Sequence, residues 1–194
     1  MVKKKRKQKT TVFVSLEGKR EKVFLNFLEQ LYKPNENNIH INFSDVTGGH
    51  SNSILARAIK SSSNYDKVYA IFDEVKPLSE EIRSSLSKVW YSDEFSSNTK
   101  DKDLQQEYNS ANRNPIIIVS NPCSIDGFLI TLFNKKLPKE VNEKNCKNSF
   151  SGMVGSKFNE ETELKFYKTN LTKELLENQK NNFTLQLILS IFKK

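Results

Sequence analysis

Four short apolar runs punctuate the chain, at residues 11–16, 38–43, 67–72 and 115–119. Each holds five or six residues rich in β-branched or aromatic side chains, a pattern that predicts strands. The first, third and fourth are apolar almost throughout their centres, as strands covered on both faces of a parallel sheet are. The second alternates apolar and polar positions.

Helical periodicity fills the intervals. Residues 19–32 set Val23, Phe24, Phe27, Leu28 and Leu31 on one face, and Pro34 ends the pattern. Residues 52–63 group Ile54, Leu55, Ala58 and Ile59, with Ser51 as the expected N-cap. Residues 79–90 group Ile82, Leu86 and Val89, with Ser79 as cap. After the fourth run, residues 128–133 are apolar almost all round and predict a buried helix. The resulting order, βαβαβαβα, predicts an α/β fold. Its core is a four-stranded, mainly parallel sheet flanked by helices. Further helices are expected at 160–167 and 171–193. No strong period marks 138–160, and 91–114 reads as a polar surface insertion, partly helical around 104–111. The chain thus divides into a basic disordered tail (1–9), an α/β core (10–134) and a helical C-terminal extension packed on that core (135–194).

Composition narrows the function classes. The chain has 194 residues and a formal net charge of +8. Six positive charges lie in residues 1–9, including Lys4, Lys5, Arg6 and Lys7, which leaves about +2 for 10–194. The body is nearly balanced and the excess is a tail, suited either to nucleic-acid phosphates or to simple solvation. No apolar run approaches the roughly 18 residues of a membrane span. The two cysteines and two histidines exclude a disulfide scaffold and an ordinary four-ligand zinc site. The basic start is not followed by the apolar h-region of a secretory signal, so a cytoplasmic location is expected.

Ligand sites of parallel sheets form beyond the carboxyl ends of the strands. Here those ends deliver Glu17-Gly18, Ser44-Asp45, Asp73-Glu74, and Ser120-Asn121-Pro122 followed by Asp126. Converging carboxylates repel unless a cation lies among them. Hard oxygen donors suit Mg²⁺ or Mn²⁺ rather than zinc. Gly48, Gly49 and Ser51 precede or open the second helix, where backbone N–H groups can meet a phosphate; the glycines equally suit a tight turn. Lys76 stands beside the acids as a second candidate phosphate contact. No GxGxxG or GxxxxGK[ST] motif occurs, which disfavours the familiar nucleotide-binding loops.

Four of these segments, in this order, resemble the RloB-like family of bacterial defence loci, within the TOPRIM superfamily of topoisomerases, primases and nucleases. They are Glu17-Gly18-Lys19-Arg20-Glu21-Lys22-Val23-Phe24, Gly48-Gly49, Phe72-Asp73-Glu74-Val75, and Ser120-Asn121-Pro122-Cys123 with Asp126 following. The resemblance spans about residues 10–134. It implies a TOPRIM fold and Mg²⁺-dependent cleavage of RNA or DNA in anti-phage defence. Glu17 would be the general acid/base, with Asp73, Glu74 and Asp126 as metal ligands. Val75 stands where the family's DxD motif has its second acid, and Asp126 lies one position beyond the family's Glu. The alternative reading is therefore a catalytically degenerate subunit that binds nucleic acid, a partner protein or a second copy of itself.

Overall fold

A computed structural model of the protein describes residues 9–45, 51–73, 115–120 and 122–193. The four apolar runs form strands β1 (Thr10–Leu16), β2 (Ile39–Asp45), β3 (Lys67–Phe72) and β4 (Ile116–Val119). They make one sheet in the order β2-β1-β3-β4. Every adjacent pair is parallel: Leu16 faces Asp45 on one side and Ile71 on the other, and Phe72 faces Val119. The α/β expectation is correct, and so are the positions of all four strands to within two residues. β2 lies at one edge, which explains its alternation: Ile39 and Ile41 are buried while His40 and Asn42 are exposed.

Strand pleating sends alternate side chains to opposite faces, and two apolar clusters result. One contains Val12, Val14, Leu16, Tyr69, Ile71 and Ile118, covered by helix α1 (Lys19–Tyr32) and by helices from the C-terminal part of the chain. The other contains Phe13, Val68, Ala70, Phe72 and Ile117, covered by α2 (Ser51–Ser61). The sheet is therefore covered on both faces. α1 ends where expected: Lys33 adopts a left-handed conformation (φ 46°), its N–H reaches the Glu29 carbonyl, and Pro34 follows.

α3 (Ile125–Leu132) follows β4 and is buried nearly all round, as the largely apolar stretch from Phe128 to Leu132 requires. Four more helices follow: α4 (Glu143–Val154), α5 (Glu160–Asn170), α6 (Lys173–Asn178) and α7 (Phe183–Ser190). Cys146, Phe150, Tyr167, Leu171, Leu176, Leu185 and Ile188 all join the cluster that contains β1. The C-terminal extension is thus part of the core on that face. No helix among the described residues is long and apolar enough to cross a membrane.

Three expectations need correction. Residues 138–160 are not irregular, because α4 runs through them between an Asn142 cap and a left-handed Gly155. Only Cys146 and Phe150 are buried along α4, so its periodicity is too sparse to see. The single helix at 171–193 is two, because the Asn182 side chain accepts the Leu185 N–H (3.0 Å) and starts a new helix there. Ser51 is the first residue of α2 rather than its cap. The expected tail, the helix at 79–90 and the insertion at 91–114 lie outside the described residues, apart from Lys9.

Candidate functional site at the strand ends

The central strands place two acids side by side. β1 and β3 are neighbours, and their ladder continues one step past the end of β1 through the Glu17 N–H to the Ile71 carbonyl (3.2 Å). Beyond that step the Asp73 N–H donates to Glu17 Oε2 at 2.8 Å. Glu17 thus fixes the backbone at Asp73 with its side chain. β4 is tied in by the Ser120 N–H to the Phe72 carbonyl (3.0 Å), and the chain then turns into α3. Asp73 Oδ1 accepts the N–H of Ile125, the first residue of α3, at 2.7 Å. One of the unpaired donors at that helix start is satisfied by a carboxylate from a neighbouring strand.

A third acid lies beside these two. Glu21, in the first turn of α1, is buried at 3% exposure. Gly18 makes room for it, since a Cβ at position 18 would stand 3.0 Å from Glu21 Oε2. Burial, then the charge of Glu21, pushes the Asp73 carboxyl up to about 9, against the pull of the Ile125 N–H. Burial likewise pushes Glu21 up to about 7, opposed by its own backbone N–H and reinforced by Glu17 and Asp126. At neutral pH this cluster therefore retains protons that isolated carboxyls would have lost.

Asp126 takes a different role. Arg20, one residue before Glu21, ion-pairs with it through Nη1. The same guanidinium grips Glu163 of α5, with Nε donating to Oε1 at 2.9 Å and to Oε2 at 3.1 Å, and Nη2 to Oε1 at 2.6 Å. The Phe150 and Phe158 rings each lie 5.2 Å from the guanidinium carbon. The Tyr167 hydroxyl donates to Glu163 Oε2 at 3.2 Å. Burial, then the charge of Glu163, holds that phenol well above its usual range, so it remains a donor. Arg20, Asp126 and Glu163 are 7%, 5% and 1% exposed, which makes this a desolvated network in which two carboxylates share one guanidinium.

The structure thus brings together Glu17 and Asp73 of the expected acids and adds Glu21. It commits Asp126 to Arg20. Ser51 is buried, and its hydroxyl has no hydrogen-bond partner among the described residues. Glu74, Gly48, Gly49, Lys76, Lys4, Lys5, Arg6 and Lys7 lie outside the described residues. Among the described residues, no three His, Cys, Asp or Glu side chains are disposed as ligands of one ion. The acids at this rim offer oxygen donors only, the ligand type that hard cations take.

Arg20, Glu163 and Glu21 are the residues that sequence reasoning missed. A signal existed for Arg20. A cation in the first turn of a helix opposes the helix dipole, so an arginine there suggests a dedicated acidic partner. Glu163 carries no such mark, since it is one of three acids in the first turn of α5. Comparison of the chain with protein-family models, curated proteins and solved structures finds no match.

Proposed function

We propose that the protein is a Mg²⁺- or Mn²⁺-dependent nuclease of TOPRIM-like, RloB-like type, acting on RNA or DNA phosphodiesters in anti-phage defence. The observation that supports this reading best is the Glu17–Asp73 bond between adjacent strand ends, with buried Glu21 beside it. Carboxyls held this close, with no neutralising side chain among the described residues, favour either a proton or a cation. Asp73, with Glu74 following it in sequence, would hold the cation. Once bound, the cation would polarise a phosphodiester and stabilise the leaving oxygen. Glu17 would move the proton, as general acid or base.

The test is a pair of measurements on the full chain. Mg²⁺ or Mn²⁺ is titrated calorimetrically and by thermal melting, and cleavage of single- and double-stranded RNA and DNA is assayed alongside. The expected result is a metal-dependent rise in Tm, lost in Asp73→Asn. Glu17→Gln keeps the rise and loses cleavage. A wild type that neither binds metal nor cleaves any of these substrates would overturn the nuclease reading.

One observation favours a second reading, a degenerate subunit that binds nucleic acid or a partner protein. Asp126, a candidate replacement for the missing second acid at Val75, is already neutralised by Arg20. Metal-independent binding of nucleic acid without turnover would support that reading.

A further inference from the structure

The chain has two cysteines, Cys123 and Cys146. They are 23 residues apart in sequence, and their sulfurs lie 2.8 Å apart. Cys123 is half-buried on the turn between β4 and α3, whereas Cys146 on α4 is fully enclosed. Cys123 has a φ of 55°, a left-handed conformation uncommon for a residue with a side chain. The turn around it is tightly specified. The Ser124 N–H donates to the Pro122 carbonyl at 2.7 Å, and a Cβ on Gly127 would lie 2.1 Å from that same carbonyl oxygen. This turn, pinned by short contacts, delivers the Cys123 sulfur onto the buried thiol of α4.

We propose that Cys123 and Cys146 are a redox-modification site: a dithiol that closes to a disulfide by exchange with a small-molecule disulfide such as oxidised glutathione. The Cys123 thiolate, on the solvent-accessible side, attacks one sulfur of the small disulfide and expels one thiolate, leaving a mixed disulfide. The Cys146 thiolate then attacks the Cys123 sulfur and expels the second. Two protein thiols are oxidised by two electrons. The small disulfide is reduced to two thiols, which take up the two protons. Burial holds the Cys146 thiol up to about 12, so the first attack belongs to Cys123 and Cys146 acts as the resolving group. No third cysteine competes for the pairing.

The bond would sit two residues before Ile125, whose N–H holds Asp73, and three before Asp126, which is held by Arg20. Its formation fastens the turn that carries both contacts to α4. The inference stands on the sulfur geometry and does not depend on the nuclease reading.

The experiment incubates the full chain with excess oxidised glutathione, then alkylates under denaturing conditions and measures the intact mass. The expected wild-type product has lost two hydrogens, carries no alkyl group, is monomeric, and regains two alkylable thiols with dithiothreitol. Its Tm should exceed that of the reduced protein by about 5 °C or more. Cys146→Ser should instead stop at one stable glutathione adduct. Two persistent alkylable thiols in the wild type would overturn the proposal. So would a wild type that halts at the glutathione adduct, or one that forms only disulfide-linked dimers.

Discussion

Arg20 and Glu163 lie 143 residues apart in sequence and meet through three hydrogen bonds of 2.6–3.1 Å. The pair joins the first turn of α1, where the acidic rim begins, to the C-terminal helices. It also explains how one guanidinium can be buried at the start of a helix that disfavours cations. Two carboxylates and two aromatic faces replace its water.

Removing that cation should therefore be costly. Arg20→Ala leaves Asp126 and Glu163 buried without a counter-charge, a loss of about 3–5 kcal/mol. Arg20→Lys should recover only a minor part, because an ammonium cannot reproduce the forked contact to Glu163 while also reaching Asp126. Urea unfolding of the three proteins checks both expectations.

The metal-free protein should lose stability as pH rises. Asp73 and Glu21 bind protons more tightly folded than unfolded, since both carboxyls are raised. Their contribution is complete below the ordinary carboxylate range near pH 4 and is lost as pH climbs through about 7 and about 9. In chelator, the urea midpoint should fall between pH 5 and pH 9. Glu21→Gln should flatten that fall, because it removes a charge while keeping the shape. An unchanged slope in the variant would show that Glu21 is not part of the titrating cluster.

Two glycine substitutions should behave differently. Gly127→Ala drives a Cβ to 2.1 Å from the Pro122 carbonyl oxygen, and backbone must move to relieve it. We expect a loss of more than about 2 kcal/mol and disruption of the turn at Cys123. Gly18→Ala meets only the end of the Glu21 side chain, at 3.0 Å, and a carboxylate can swing aside. We expect a stability change within about 1 kcal/mol but a shifted Glu21 titration, readable by carboxyl carbon NMR.

The Asn182 cap offers a test of the break between α6 and α7. Asn182→Ala removes the acceptor for the Leu185 N–H and should cost about 1 kcal/mol, measured by thermal melting. A neutral result would mean that the break is set by packing of Leu185 and Ile188 alone.

The strands were legible in sequence because burial on both faces writes an unbroken apolar run, as in 67–72, and an edge writes alternation, as in 38–43. α4 was not, because two buried side chains one turn apart make no period. The position of Glu17 and Asp73 followed from strand ends alone. The separation of Asp126 from that pair did not, because it depends on Arg20 reaching across from another helix and on Glu163 arriving from far along the chain. Burial of Glu21 was equally hidden, since a glutamate in a first helical turn is usually solvated and serves the dipole.

The placement of Glu163 also bears on how the chain acquires its structure during synthesis. β1 is an inner strand, yet its second neighbour, β3, begins only at Lys67. The face that α1 covers is completed by residues after 140. Arg20 therefore leaves the ribosome more than a hundred residues before the acid that shares its charge. Until then the apolar side of α1 lacks its C-terminal cover and the guanidinium lacks the acid of α5. Folding dominated by such distant contacts is slow and leaves apolar surface exposed in transit. Chains cut before α5 should accordingly be collected by chaperones and proteases, whereas those cut after α7 should escape.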